Sequence, residues 1–165
     1  MSVGEETETR GRTLQVGSVL PAADYPTSTV QIFRYSAATW NTHRIHYDKD
    51  YAVAEGYPDV LVQSHLHGAF LARYCTDWVG ANGRLLELGL RIRRFAIAGE
   101  TLSVLGTVKA VERLDDAHAA LALELVETRG SDGETCATAS ARIEIPLDWL
   151  ASAAADGMSE GRATT

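Results

Sequence analysis

Four of the five histidines fall in two short clusters, His43 with His46 and His65 with His67. Histidine is the side chain that ordinarily titrates nearest neutral pH, so each cluster is a candidate for proton transfer. His46 lies in the string Trp40-Asn41-Thr42-His43-Arg44-Ile45-His46-Tyr47-Asp48. An imidazole there can take a proton from water and return it, whereas the amide of Asn41 can orient water but cannot accept its proton near neutral pH. Two neighbours also have structural readings, since Asn41 suits a turn and Asp48 is placed to cap a following helix. His118 stands apart in a polar turn, and no metal site is expected, because the spacing of the histidines is a weak sign of ligation.

The elements that would position these residues can be read from periodicity. Residues 49–55 form a short helix, opened by Asp48 and stopped by Gly56-Tyr57-Pro58. Between 62 and 79, Leu66, Ala69, Phe70, Leu71, Tyr74, Cys75, Trp78 and Val79 cover nearly the whole helical circumference, which describes a helix buried on most sides. The period then changes to two: Leu86, Leu88, Leu90 and Ile92 alternate, followed by Leu102, Val104, Gly106, Val108 and Ala110. Leu121, Leu123 and Leu125 continue it. The turn signal Gly130-Ser131-Asp132-Gly133 precedes Ala137, Ala139, Ala141, Ile143 and Ile145, so the last two strands form a hairpin. A further apolar segment at 30–35 reads as a fifth strand. One mostly buried helix with these strands implies an α+β fold, a single hotdog domain with an antiparallel sheet wrapped around a long central helix.

With 165 residues, 45% hydrophobic and 22% charged, the composition is that of a globular chain able to bury one core. The domain is expected over about residues 13–150, with disordered tails at 1–12 and 151–165. A formal net charge of −7 and the lack of a long basic run argue against a nucleic-acid partner. No apolar run approaches the ~20 residues of a membrane span. The acidic start lacks the features of a secretory signal, so a cytoplasmic location is expected. Cys75 and Cys136 form no Cys-x-x-Cys pair and read as buried, reduced thiols.

The run Asn41 to Asp48, continuing through Tyr51-Ala52 and Glu55-Gly56-Tyr57-Pro58, resembles the hydratase motif of MaoC-like hotdog enzymes. Those enzymes act on enoyl thioesters and carry an Asp, four residues, then a His. The frame here begins with Asn41, as in a subgroup containing mesaconyl-CoA hydratase-like and hydroxyacyl-thioester dehydratases. The resemblance covers roughly residues 30 to 110 and includes Phe95-Ala96-Ile97-Ala98-Gly99-Glu100-Thr101-Leu102. A second stretch, Arg73-Tyr74-Cys75-Thr76-Asp77-Trp78-Val79-Gly80, is similar to MaoC-like subunits of steroid side-chain hydratases, some of which act with a second chain.

The resemblance implies hydration of an enoyl thioester, or the reverse dehydration of a 3-hydroxyacyl thioester. His46 would be the acid/base, Asn41 would position water, and no cofactor beyond the coenzyme A of the substrate would be needed. Backbone N–H groups of the turn Gln63-Ser64-His65 would meet the enolate oxygen, although the family usually has His-Gly there. Arg93 and Arg94, with Arg91, are secondary candidates for coenzyme A phosphates, against the plain reading of a solvated strand face. A homodimer, or a heteromer with another hotdog subunit, is expected. Two rivals share the fold: a thioesterase, for which Asp77 is the only carboxylate in the long helix, and a non-catalytic acyl-CoA-binding subunit.

Overall fold

The computed structural model describes residues 13–150, so both expected tails lie outside the described residues. Along the chain run β1 (Ala23–Pro26), α1 (Thr29–Thr39), α2 (Lys49–Ala54) and α3 (Ser64–Val79), then β2 (Arg84–Ile92), β3 (Thr101–Arg113), β4 (His118–Arg129) and β5 (Thr135–Pro146). The strands form one antiparallel sheet of five, ordered β1-β3-β4-β5-β2.

The expected alternation holds through most of the sheet, but Leu90 of β2 is exposed, and so is Ala110 of β3, which follows a bulge after Val108. Leu102, Val104 and Val108, Leu121, Leu123 and Leu125, and Ala137 to Ile145 at every second position point into the core. Against them α3 packs Leu66, Phe70, Leu71, Tyr74, Cys75 and Val79, so the sheet wraps the helix in the hotdog manner. Small residues let the layers close. At Gly68, a Cβ would stand 2.9 Å from the Leu90 side chain of β2. The β4–β5 hairpin turns through Gly133 at φ +73°, with Asp132 accepting the Glu134 N–H at 3.0 Å. Cys75 and Cys136 are buried free thiols, each pushed up to about 11 by desolvation. Among the described residues no helix is long and apolar enough to cross a membrane.

Two expectations are corrected. Residues 30–35 are not a strand but the body of α1. Val30, Ile32, Phe33 and Tyr35 favour strands by local preference, yet Ser28 caps the segment by accepting the Gln31 N–H at 3.2 Å. Ile32 and Ser36, four residues apart, are the buried positions of the resulting helix. The fifth strand is instead β1, paired with β3 from Ala23↔Val104 to Pro26↔Thr101. The long helix is also less enclosed than expected: Ser64, His65, Ala69, Arg73, Thr76 and Asp77 are exposed along one stripe.

Two polar links cross the apolar core. The Tyr74 hydroxyl donates to the Pro21 carbonyl and accepts the Gly106 N–H, both at 2.9 Å. The close approach favours a glycine, because a Cβ on residue 106 would lie 3.0 Å from the Tyr74 ring and push it aside. The second link joins His67 Nδ1 of α3 to Glu127 Oε1 of β4, with both side chains essentially inaccessible. The other oxygen, Oε2, has no hydrogen-bond partner among the described residues.

Tyr74→Phe is expected to lower the unfolding free energy by about 1–3 kcal/mol, the desolvation penalty of buried groups left unpaired. His67→Leu alone should cost about 3–5 kcal/mol by leaving a buried carboxylate without its partner, and a double replacement of His67 and Glu127 by leucine should cost less. Urea titration of the variants checks both expectations, and equal loss in the single and double variants would contradict the second.

Candidate active site

The candidate site begins where α1 ends. Trp40 adopts φ 54°, ψ 35°, and the Asn41 N–H closes back on the Ser36 carbonyl at 2.9 Å, a C-terminal cap of Schellman type. Asn41 Oδ1 then accepts the His43 N–H at 3.2 Å, so the turn reading of this residue holds. That contact leaves the amide NH2 for other partners. The Tyr47 hydroxyl donates to the Thr42 carbonyl at 2.8 Å, tying the loop across its base. Asp48 caps α2 by accepting the Tyr51 N–H at 3.0 Å, as expected. The hydrogen bond from Arg44 holds the Asp48 carboxyl below the usual range, so it stays an anion suited to a helix start.

Within this loop His46 is buried. Its Nδ1 lies 2.8 Å from the Leu61 carbonyl oxygen. A carbonyl can only accept, so the proton sits on Nδ1 and the lone pair of neutral histidine is on Nε2. Leu61 cannot easily shift. Its N–H donates to the Ile45 carbonyl at 2.9 Å, while Val62 N–H and Val60 carbonyl pair with Ala96 and Ala98 at 2.9 and 3.0 Å. Desolvation lowers the His46 pKa below 6.5; the Leu61 hydrogen bond opposes this and nearby His43 adds a smaller downward push. The result is an imidazole held neutral near pH 7 with one nitrogen free to accept a proton.

The second half of the site is the start of α3. The N–H groups of Leu66 and His67 both close on the Gln63 carbonyl, at 2.9 and 3.1 Å. Those of Ser64 and His65 precede them and have no intrahelical acceptor, at the positive end of the helix dipole. The Ser64 and His65 side chains are exposed, but Gln63 is turned inward. Its Nε2 donates to the Ile32 carbonyl at 2.8 Å and to Ser36 Oγ at 2.7 Å, so the side chain ties α1 to α3.

The other candidates lie elsewhere. Arg93 bonds Thr138 Oγ1 at 3.3 Å on the outer face of the sheet, and Arg94 approaches Glu134 at 3.6 Å. With Arg91 and Lys109, Arg93 borders an open concavity of about 530 Å³ that includes none of the loop residues. Asp77 is exposed and paired with Arg73 at 2.9 Å. Among the described residues, no three His, Cys, Asp or Glu side chains converge as a metal site would require.

Sequence reasoning did not anticipate three polar groups, two at the site and one in the core. Ser36 was hidden by the strand reading of its segment. The Leu61 carbonyl is backbone and carries no side-chain signature. Glu127 did leave a signal: it shares the register of Leu121, Leu123 and Leu125, where a carboxylate is out of place.

A family model for hydroxyacyl-thioester dehydratase type 2 matches residues 7–96. The 3-oxo-4,17-pregnadiene-20-carboxyl-CoA hydratase beta subunit of Mycobacterium tuberculosis is 33% identical over 96 residues, which is 58% of this chain and 74% of that one. Mesaconyl-C(4)-CoA hydratase of Chloroflexus aurantiacus is 52% identical over 42 residues, 25% of this chain and only 14% of that protein. Among solved structures, the ChsH1-ChsH2 complex from Mycobacterium tuberculosis aligns with TM-score 0.68 and 27% identity, covering 79% of this chain and 98% of the matched one. The fold is also that of the MaoC-like dehydratase from Rhodospirillum rubrum, with TM-score 0.70 and 15% identity over 81% of this chain and 93% of that one. The chain therefore belongs to the hydroxyacyl-thioester dehydratase type 2 family, with a hotdog fold, and its reaction class is hydration or dehydration of an acyl thioester.

Proposed function

We propose that this protein interconverts a trans-2-enoyl-CoA and its 3-hydroxyacyl-CoA, with His46 as general acid/base. The observation that carries the proposal is the hydrogen bond from His46 Nδ1 to the Leu61 carbonyl, which leaves Nε2 as a desolvated, neutral proton acceptor. In the hydration direction Nε2 takes a proton from water as the water oxygen bonds to the β-carbon. The double-bond electrons move toward the thioester carbonyl, whose oxygen gains charge. The imidazolium then returns the proton to the α-carbon, restoring the thioester. The Ser64 and His65 N–H groups would stabilise the charged oxygen, as donors already oriented and unpaired. Asn41 complements the base, because its NH2 can donate to the water oxygen while Nε2 accepts the water proton.

No dissociable cofactor enters this scheme, since coenzyme A is part of the substrate. Arg93 and Arg94 are kept as secondary candidates for its phosphates, their exposure being compatible with that role. The proposed setting is the cytoplasm and an assembly of at least two hotdog subunits. Two observations support the assembly: a relative is a beta subunit and a matched structure is a two-chain complex. In addition, β2 pairs only with β5 and leaves nine residues of strand edge open in the described chain. The thioesterase reading has no comparable support, because Asp77 is spent on a surface pair with Arg73.

His46→Ala is expected to lower kcat/KM for enoyl-CoA hydration by about 10²–10⁴-fold, the usual contribution of a positioned acid/base. Loss of absorbance of the conjugated thioester measures it, and full activity in the variant would remove His46 from this role. The pH profile gives an independent check. A base whose pKa is depressed stays competent at lower pH, so the acidic limb of kcat/KM should fall below pH 6.5. A limb at or above that value would contradict the buried, neutral His46.

A further inference from the structure

An apolar groove lies along α1 and is bordered by Asn41, the residue proposed to position water. Phe33, Ala37 and Trp40 form one wall, and Thr42 and Tyr47 face them across about 180 Å³ of open space bordered by Asn41. Exposure of these rings is high for a surface with no assigned role: Trp40 is 84% accessible and Phe33 55%. Ser36, also on the groove, accepts the hydrogen bond from Gln63, the residue that caps α3. The groove therefore borders the loop that carries His46 through Asn41, Thr42 and Tyr47, and lies one side chain away from Gln63 through Ser36.

Trp40 supplies a second observation. It is the only non-glycine residue with positive φ among the described residues, at the helix-ending position where glycine is the usual occupant. A bulky side chain at that position strains the backbone, and such strain persists where the side chain serves a purpose. The purpose is not packing within the chain, because the ring is almost fully exposed.

Resting on the function proposed above, we infer that the apolar acyl part of the thioester substrate lies in this groove and that Trp40, with Phe33, sets acyl selectivity. The groove is aromatic-walled and open rather than an enclosed tunnel, so an acyl group larger than its roughly 180 Å³ can lie in it and extend beyond it, whereas a short one would leave the aromatic wall uncovered. Small Ala37 keeps its middle free, and Thr42 and Tyr47, linked to each other by a hydrogen bond, keep the opposite wall in place.

The test uses the full 165-residue chain, Trp40→Gly and Ala37→Trp, and two substrates, trans-2-butenoyl-CoA and trans-2-dodecenoyl-CoA. Trp40→Gly, which relieves the backbone strain, should melt no lower than the parent, so a change in kinetics is not a change in folding. In both variants the ratio of kcat/KM for the long substrate to that for the short one should fall at least tenfold. Calorimetric titration with the unreactive saturated dodecanoyl-CoA gives a readout free of turnover and should show at least tenfold weaker binding. If the parent hydrates neither substrate but the variants weaken dodecanoyl-CoA binding, the groove stands and the hydratase assignment falls. Unchanged ratio and unchanged binding in both variants would overturn the groove. So would a change of oligomeric state on sizing without a change in either quantity, since the groove would then belong to a contact between subunits.

Discussion

The hydrogen bond from His46 to the Leu61 carbonyl ties the chemistry of this protein to its fold. Leu61 belongs to a short extended strap, residues 60–62, that is paired on one side with residues 96–98 and on the other receives the loop through Ile45. Because buried backbone groups must be paired, the strap has little freedom once these bonds are made. The same strap runs straight into Gln63 and the first turn of α3. A single backbone segment thus sets the tautomer of the proposed base and the position of the N–H groups opposite it. The base is tied to this strap by one hydrogen bond, and the Ser64 and His65 N–H groups follow Leu61 by three and four residues along the same backbone. Such an arrangement favours preorganised electrostatics, because neither element must move for the reaction to proceed.

The parts of this architecture that were legible in the sequence are those governed by local rules. Asp48 caps α2 because a carboxylate three residues before an N–H forms its bond whatever the rest of the chain does. The four long strands were readable because each presents one face to α3, which imposes a period of two over many residues. What failed was local preference overruled by distant contacts. Residues 30–35 have the composition of a strand, but their backbone and Ser36 receive the buried Gln63 amide from 27 to 31 residues away. No window centred on α1 contains that partner. β1 was missed for the opposite reason: four residues ending in proline offer almost no pattern.

The site shows the same division. His46 was identifiable by motif, and Asn41 could be denied the role of base by chemistry alone. Gln63 was read as a substrate contact through the backbone of the helix start, a reading that carried no information on its side chain, which serves as a strut to the Ile32 carbonyl and Ser36. A position in sequence defines where a residue sits, while the direction of its side chain depends on which unsatisfied groups surround it. Here the Ile32 carbonyl and the Ser36 hydroxyl supply the stronger claim on an amide that can donate twice.

The replacement of a carboxylate by Asn41 also follows a physical logic. A carboxylate beside His46 would favour the imidazolium and raise its pKa, offsetting the desolvation that keeps the ring neutral. An amide exerts no such pull, so desolvation stays the largest influence on the charge of His46, opposed by the Leu61 hydrogen bond and aided by His43. The amide is further oriented by its own turn, since Oδ1 is committed to the His43 N–H and only the NH2 remains available. Water held between this donor and the Nε2 lone pair would carry its proton toward the histidine and its oxygen lone pairs toward the amide. The site therefore divides between one group that accepts a proton and one that cannot, which is a different solution from two proton acceptors sharing a water. In the proposed reaction the transferred proton would pass through a single side chain whose tautomer the backbone dictates.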